Sequence, residues 1–510
     1  MDKNLDNKEV KKKMTDSLPV LCSQRWILSY LFFWGFFFAY SLRVNFSVAI
    51  VCMSKSPTNN SSASKILTNN TTQDQCGALE YANYTNERAE FDWNRETRSS
   101  LLSAFFWGYF VTQIPGGWLA DKFGGRRVYG TALAVAGIAT VLIPVCARTH
   151  IILLYILRVV CGLAMGTCSP SATSMWGRWG PRLERTKLTA SHQVGKCHTM
   201  YYNSEHFGRL RSMLGTVVTF SVSGVLCESG FDNGWGSIFY LTGGLTLIWV
   251  FLWFFLTRDT PNDHPRISVI ERNYIITNIE YNANKRTGKV PWVAMAKSVP
   301  LWAIIIGHTC SNWGIYTIWT SLPEFMKNVL KFDIKANGAL SAIPYICGAF
   351  MAFATAHIAD FLRSRKILTT TQTRRSFQTA AFIGAGIFLI ATGFVECEKR
   401  GLAVVFLCLA LLFTGFERAG YAVNHIDIAP KYGGILYGIT NTIATIPGMV
   451  APVIAGELTP NDTSEEWRNV FYVTASFYVL GAIIYCCIAR GEIQPWALDK
   501  DNLKETELFI

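Results

Sequence analysis

The chain has 510 residues, 50% of them hydrophobic, 14% aromatic and only 16% charged. A water-soluble protein needs roughly 25% charged residues to cover its surface, so much of this surface faces something other than water. The net charge of +12 would suit nucleic acid on a soluble protein, but here the excess base sits in short segments between apolar runs, where it orients membrane spans, and no nucleic acid is expected as a partner.

Residues 1–25 are polar and carry the basic cluster Lys11, Lys12 and Lys13; they predict a cytosolic tail. The apolar stretch from Trp26 to about Met53 is too long for a secretory signal and has no cleavage site, so it predicts a first span. The segment 54–98 that follows carries N-x-S/T acceptors at Asn59, Asn60, Asn69, Asn70 and Asn83, and another stands at Asn461. These predict glycosylated outer loops. Asn45 fits the triplet too but falls inside a span.

Further spans are predicted to begin near Ser99, Val128, His150, Ser237, Leu301, Gly338, Phe377, Leu402, Gly433 and Asn469. With the amino terminus inside, the 47 Lys and Arg favour inner segments roughly threefold, which fixes the orientation and places both termini in the cytosol. A fifth span is short as it stands: Leu214 to Leu226 is too few residues to cross. The run before it, 191–212, holds histidines, Lys196, Arg209 and Arg211, which do not enter lipid cheaply. It reads as an insertion of about a dozen residues that malforms the inner half of that helix. Its histidine and cysteine spacing matches no zinc pattern, so no metal is expected.

The pattern divides the chain into a six-helix unit over 26–257, a basic cytosolic linker over 258–300, a second six-helix unit over 301–490 and a cytosolic tail over 491–510. Each unit carries a charged link after its second helix, Ala120-Asp121-Lys122-Phe123-Gly124-Gly125-Arg126-Arg127 and Ala359-Asp360-Phe361-Leu362-Arg363-Ser364-Arg365-Lys366. That is the mark of a duplicated unit. The expected architecture is an all-α polytopic membrane protein, twelve helices in two pseudo-symmetric bundles. Cysteines within apolar runs read as small buried side chains. Cys76, Cys227 and Cys397 fall in predicted outer loops, where a disulfide can form in a pairing the sequence does not specify.

Two arginines, Arg43 and Arg158, lie within the first and fourth spans, neither of which offers an acidic partner. An arginine at mid-membrane costs roughly 2.5–3.5 kcal/mol on insertion scales and normally faces a cavity. A guanidinium there suits a carboxylate or phosphate through two parallel hydrogen bonds. The alternative is that it bonds carbonyls of broken helices. Tyr40 and Arg43 share one helical face, as do Phe106 and Tyr109. Glu417 and Arg418 are adjacent in the tenth span and so do not face each other; Glu417 is a candidate cavity acid that could oppose Arg43.

The first charged link has the form G-x-x-x-D-x-x-G-x-R, with Gly117, Asp121, Gly124 and Arg126. It resembles the signature of the major facilitator superfamily, in which such a link, with Asp360 at the matching place, forms an inner gate. A closer resemblance is to its anion-cation symporter branch, made up of sialin-like, sodium-phosphate cotransporter-like and vesicular glutamate transporter-like carriers. It rests on Ser41-Leu42-Arg43-Val44-Asn45, on the run Phe105 to Gly117, and on Leu183-Glu184-Arg185-Thr186-Lys187-Leu188. Asn312-Trp313-Gly314-Ile315-Tyr316 and Val423-Asn424-His425-Ile426-Asp427-Ile428-Ala429-Pro430 extend it over nearly the whole chain. The resemblance implies the major facilitator fold and binding of an acid group by Arg43 and Arg158. It makes Tyr40, Phe105, Phe106, Tyr109 and Tyr316 chamber liners, with Asn312 as a neutral polar contact.

In proton-driven members of that branch the fourth helix carries a glutamate and a histidine, where this chain has Met165 and Thr173. Glu184 and Glu417 remain as coupling candidates, and either sodium or a proton can be the co-transported ion. The glutamate carriers have an arginine near Ser311 and Asn312, which argues against vesicular glutamate transport. The expected function is secondary active transport of small organic or inorganic anions, carboxylates or phosphate, by alternating access. The protein would be a monomer without cofactor, in a plasma or a lysosomal or vesicular membrane. The alternatives are a transport-impaired relative acting as scaffold or receptor, and an anion channel.

Overall fold

In the computed structural model, the structure describes residues 23–55, 89–181, 206–283, 290–430 and 432–498. Every extended element among them is a helix, because a backbone in hydrocarbon must satisfy its own N–H and C=O groups. The helices are α1 Gln24–Met53, α2 Arg95–Phe123, α3 Gly125–Thr149, α4 Ile151–Trp179, α5 His206–Ser229 and α6 Trp235–Leu256. The second set is α7 Val299–Asn328, α8 Ile334–Ser364, α9 Thr370–Gly393, α10 Cys397–Ile428, α11 Gly433–Leu458 and α12 Ser464–Ile488. A shorter helix, Val269–Ala283, lies between the two sets. It is pinned to the start of α1 by Glu271, whose carboxylate accepts from the Gln24 and Arg25 backbone N–H groups and from Arg25 Nη1 at 3.3 Å.

Side-chain caps start several helices where the sequence offers them. Asn94 accepts from Thr97 N–H ahead of α2, and Asp333 from Ala336 N–H ahead of α8. Thr369 with Gln372 and Thr463 with Glu466 form reciprocal capping boxes for α9 and α12. Large apolar side chains such as Ile248, Phe251, Ile346, Phe350, Ile387 and Ile483 point outward, a band that suits lipid rather than water.

Glycines set two features that matter for the site. Gly108 of α2 and Gly162 of α4 let these helices touch backbone to backbone: a Cβ on Gly162 would run into the Phe105 carbonyl, and one on Gly108 into that of Val159. Gly124 takes φ +92° between α2 and α3, a left-handed turn that favours glycine. The turn is held by Asp259, whose carboxylate accepts the Arg126 N–H at 2.8 Å.

The fifth helix is continuous from His206 to Ser229, 24 residues; its apolar part is only Leu214–Ser229, as short as the sequence indicates, and its first turns fall within the run 191–212. Polar residues at a helix end can extend it into the interface, which hydropathy alone does not register. Residues 191–205 of that run lie outside the described residues.

A disulfide joins Cys52 at the end of α1 to Cys227 near the end of α5, across a sequence separation of 175. Cys227 thus sits in a helix rather than a loop, and its partner is a residue the sequence placed in a span. Cys397 is also disulfide-bonded; Cys76 lies outside the described residues.

Candidate functional site

Three helices break near their middles. α4 is interrupted at Thr167, α11 at Ala444 and Thr445, and α10 by the 3-10 turn Gly415–Arg418 ahead of a last segment, Tyr421–Ile428. Broken helices expose backbone groups that in a membrane must line a cavity or find protein partners. Asn312 supplies one such partner: its amide donates to the Ala444 carbonyl at 2.7 Å and lies 3.4 Å from Tyr316 Oη.

Between the breaks stands Arg43. Its guanidinium carbon lies 4.9 Å from the ring centres of Phe106 and Tyr109, 5.1 Å from Tyr316, and 5.4 Å from Phe105 and Trp319. Rings from α2 and α7 thus cradle one cation from α1, an arrangement stabilised by the quadrupole of each ring. Tyr40, one turn before Arg43, packs edge-on against Trp319 at 6.0 Å. The Arg43 Nε and Nη2 atoms are buried with no hydrogen-bond partner among the described residues.

Arg158 lies deeper, 2% exposed. It sits 4.4 Å from the Phe46 ring and 5.4 Å from the Phe105 ring, so Phe105 separates the two arginines and touches both. Its Nε and Nη1 are likewise unpartnered. Among the described residues neither arginine has a carboxylate within salt-bridge distance. On the opposite wall, Arg418 lies within electrostatic reach of Tyr40, Tyr421 and Tyr437.

The arrangement brings together Arg43, Phe105, Phe106, Tyr109 and Tyr316, with Tyr40 and Asn312 at the margin. Glu417 is not opposite Arg43: it is buried and accepts from Ser311 Oγ at 2.7 Å, because the 3-10 turn rotates it towards α7. Met165 is buried and Thr173 is exposed, its hydroxyl donating to the Ser169 carbonyl. Glu184, Asn59, Asn60, Asn69, Asn70 and Asn83 lie outside the described residues. Asn461 is exposed, its amide donating to Glu466 Oε1 at 2.8 Å.

The residues expected from the sequence to form an inner gate fall at one end of the molecule. Asp121 is exposed and accepts from Ser174 Oγ of α4 at 2.8 Å, Gly117 faces Pro170, Arg126 donates to the Phe254 carbonyl, and Asp360 is exposed. The halves meet at the other end. There Arg98 of α2 donates to Glu324 of α7 at 3.0 Å and to Asp462, just before α12, at 3.1 Å, and Arg95 pairs with the same two acids. All four are under a tenth exposed. Lys327 adds a bond from α7 to the Val51 carbonyl of α1 at 2.8 Å. Nearer the chamber, Ser103 donates to the Met449 carbonyl at 2.6 Å, and Gln113 bonds both Thr445 and Asn441. The described bonds between the halves all lie between this end and Gln113.

Sequence reasoning missed this seal. The signal was available: Arg95 and Arg98 stand three apart at the start of a span, and Glu324 is an acid inside an apolar run beside Pro323.

The chain matches the Major Facilitator Superfamily over residues 27–452. It is 39% identical over 487 residues to sialin of Homo sapiens, covering 95% of this chain and 93% of that protein. It is 34% identical over 512 residues to vesicular glutamate transporter 2 of Homo sapiens, covering 100% of this chain and 81% of that one. Among solved structures it superimposes on the inward open conformation of the xylose transporter XylE from E. coli, with TM-score 0.63 and 12% identity over 95% of this chain and 99% of the other. The chain therefore belongs to the major facilitator superfamily: a multi-pass membrane transporter of twelve helices in that fold, working by alternating access, and not an enzyme.

Proposed function

We propose that this transporter carries small anions, carboxylates or phosphate, and that Arg43 is the group that takes the anionic moiety. One observation carries the reading: a guanidinium with two buried, unpartnered N–H positions stands among five aromatic rings, with no carboxylate within salt-bridge distance among the described residues. An unpaired cation there is costly. An anion binding two parallel N–H groups removes that cost and gains charge-assisted hydrogen bonds. Arg158, behind Phe105, adds positive potential and keeps the Phe105 ring in place. The likeness to sialin and to vesicular glutamate transporters supports an acidic substrate class.

The cysteine bridges favour the orientation predicted from the basic residues, since disulfides persist on the outer or lumenal side and Cys52, Cys227 and Cys397 all lie at the Arg98 end. The termini are then cytosolic, the Arg98 end is the closed outer end, and the chamber opens past Asp121 to the cytosol. The membrane is a plasma, lysosomal or vesicular one, and a co-transported sodium ion or proton drives accumulation.

The test is uptake of radiolabelled carboxylates and phosphate into proteoliposomes, with sodium and proton gradients imposed separately. Saturable, gradient-driven accumulation is expected. Arg43→Ala should lower initial uptake roughly 30- to 100-fold, the equivalent of about 2–3 kcal/mol of charge-assisted bonding. Linear, unsaturable flux would instead mean a channel, no flux in the wild type a transport-dead relative, and undiminished uptake by Arg43→Ala would remove the assignment of Arg43.

A further inference from the structure

We propose that Glu417 is the proton-binding site of this carrier, held by Ser311 and coupled to the anion site through α7. The proposal rests on the anion-carrier reading above and adds the coupling ion and its position.

Four carboxyl groups are buried among the described residues: Glu271, Glu324, Asp462 and Glu417. Three are ion-paired. Glu271 has Arg25, and Glu324 and Asp462 share Arg95 and Arg98. Glu417 is 1% exposed and has no cation within salt-bridge distance among the described residues. Its Oε2 accepts from Ser311 Oγ at 2.7 Å, and its Oε1 is buried with no partner among the described residues. An ionised carboxylate stripped of water and of any counter-charge is far costlier than a neutral carboxyl. With Oε2 already accepting, Oε1 is the atom that takes the proton.

The groups around it reinforce this. From α7 comes Ser311, a neutral donor. From α10 and α12 come the Tyr421 and Tyr478 phenols, both within the electrostatic reach of Glu417. From α9 comes Arg374, but it is committed to Asp427 at 2.6 Å and to the Ala419 carbonyl at 3.0 Å. α8 contributes Met351 and Ala352, packed on Gly415. Arg418, the next residue, lies within electrostatic reach of Tyr421, Tyr437 and Tyr40 and makes no salt bridge with Glu417 among the described residues. Among the described residues none of these groups forms an ion pair with Glu417, and Ser311 is its one hydrogen-bond donor.

The backbone break that presents Glu417 is deliberately satisfied. Gln378 Oε1 accepts the freed Tyr421 N–H at 2.9 Å, while Arg374 takes the Ala419 carbonyl. Two buried polar side chains of α9 therefore keep α10 broken at this place, and a discontinuous helix is where membrane carriers hold their coupling ions.

The link to the anion runs along one helix. Ser311 neighbours Asn312, which braces the α11 break, and Tyr316, one turn on, faces Arg43. A movement of α7 that follows anion capture at Arg43 alters the Ser311 bond, and protonation of Glu417 alters the position of α7. By linkage each event strengthens the other by the same factor. Both charges that would otherwise oppose the conformational change are then neutral, Arg43 by the anion and Glu417 by the proton. Proton and anion travel together.

The test compares wild type with Glu417→Gln, Glu417→Asp and Ser311→Ala in proteoliposomes, measuring anion counterflow and proton-gradient-driven net uptake side by side. The wild type should show net uptake stimulated severalfold by the gradient. Glu417→Gln should keep counterflow within about threefold of wild type and lose the gradient stimulation. Glu417→Asp should retain stimulation with a displaced pH midpoint, and Ser311→Ala should displace that midpoint too. Stimulation that survives in Glu417→Gln overturns the proposal. So does loss of counterflow as well as uptake, since a carboxamide imitates the protonated carboxyl in shape and charge. A wild type that accumulates anion but ignores the proton gradient overturns it while leaving the carrier intact. A wild type with no anion flux under any gradient overturns the carrier reading itself.

Discussion

Arg98 of α2 and Glu324 of α7 lie 3.0 Å apart, both almost fully buried, and they belong to different halves of the molecule. Together with Arg95 and Asp462 they make the closed end of the chamber a balanced set of two cations and two anions. Such a set is stable only while every member is present: removing one partner of a buried pair costs about 3–5 kcal/mol, most of it from the charge left behind. In an alternating-access carrier that cost falls on the closed state alone, because the halves separate at this end when the chamber turns.

Glu324→Ala should therefore shift the population towards the conformer open at the Arg98 end. The measurement is labelling of a cysteine placed at Ser103, which is 2% exposed and bonded across the seal. Alkylation by an impermeant maleimide should speed up on the order of 100-fold, as a shift of about 3 kcal/mol in the equilibrium requires. An unchanged rate would mean that the four charges do not hold the seal.

The contact of α2 on α4 predicts a second effect. In Gly162→Ala the new methyl would overlap the Phe105 carbonyl, and overpacking of this kind costs about 1–3 kcal/mol. Because the Phe105 ring touches both Arg43 and Arg158, the displaced helix should raise the KM for the anion several-fold, as well as lowering thermal stability. Gly177→Ala, also in α4 but with nothing within 4 Å of the added carbon, is the control, and should leave both quantities unchanged. Equal behaviour of the two variants would remove the packing argument.

The Cys52–Cys227 bridge ties α1, which carries Arg43, to α5. Cys52→Ser should lower stability by about 2–5 kcal/mol, read as a drop in unfolding temperature of the detergent-solubilised protein. A reductant should lower the unfolding temperature of the wild type further than that of the variant. Identical responses to reductant would argue that the bridge is not formed.

Near the same end, Glu90 accepts two bonds from Arg148 at 2.7 Å, with Asn233 and Trp235 donating as well. These bonds, that of Arg148 first, hold its carboxyl below the ordinary carboxylate range against the opposing effect of burial. The folded state thus binds this proton more weakly than the unfolded one. Its contribution is fully present above the unfolded value of about 4.3 and is lost as pH falls through the lower folded value. Glu90→Gln should be less stable than wild type at neutral pH, with the gap in unfolding temperature closing as pH falls below about 4. A gap independent of pH would assign the effect to shape rather than charge.

Much of the molecule was legible from residue order. Runs of apolar residues long enough to cross hydrocarbon define most of the helices, since a lipid environment leaves the backbone almost no other choice. The charged links at Asp121 and Asp360 pointed to a duplicated unit, and Arg43 and Arg158 stood out because a cation in an apolar run is expensive. The apolar part of the fifth helix, Leu214–Ser229, is as short as residue order indicated; that the helix starts at His206 was not legible, because hydropathy registers the residues that prefer lipid and not those that continue a helix out of it.

Only the folded chain decided which charges meet. Arg98 and Glu324 are 226 residues apart, and Cys52 and Cys227 are separated by 175, so no local pattern couples them. The sequence likewise left Glu417 as an acid beside an arginine. Whether it would face Arg43 or Ser311 depended on a break in α10 that Gln378 and Arg374 create from a neighbouring helix. Spans follow from the one-dimensional cost of moving residues into lipid, whereas seals and binding sites follow from which solvent-deprived groups are left to satisfy one another in three dimensions.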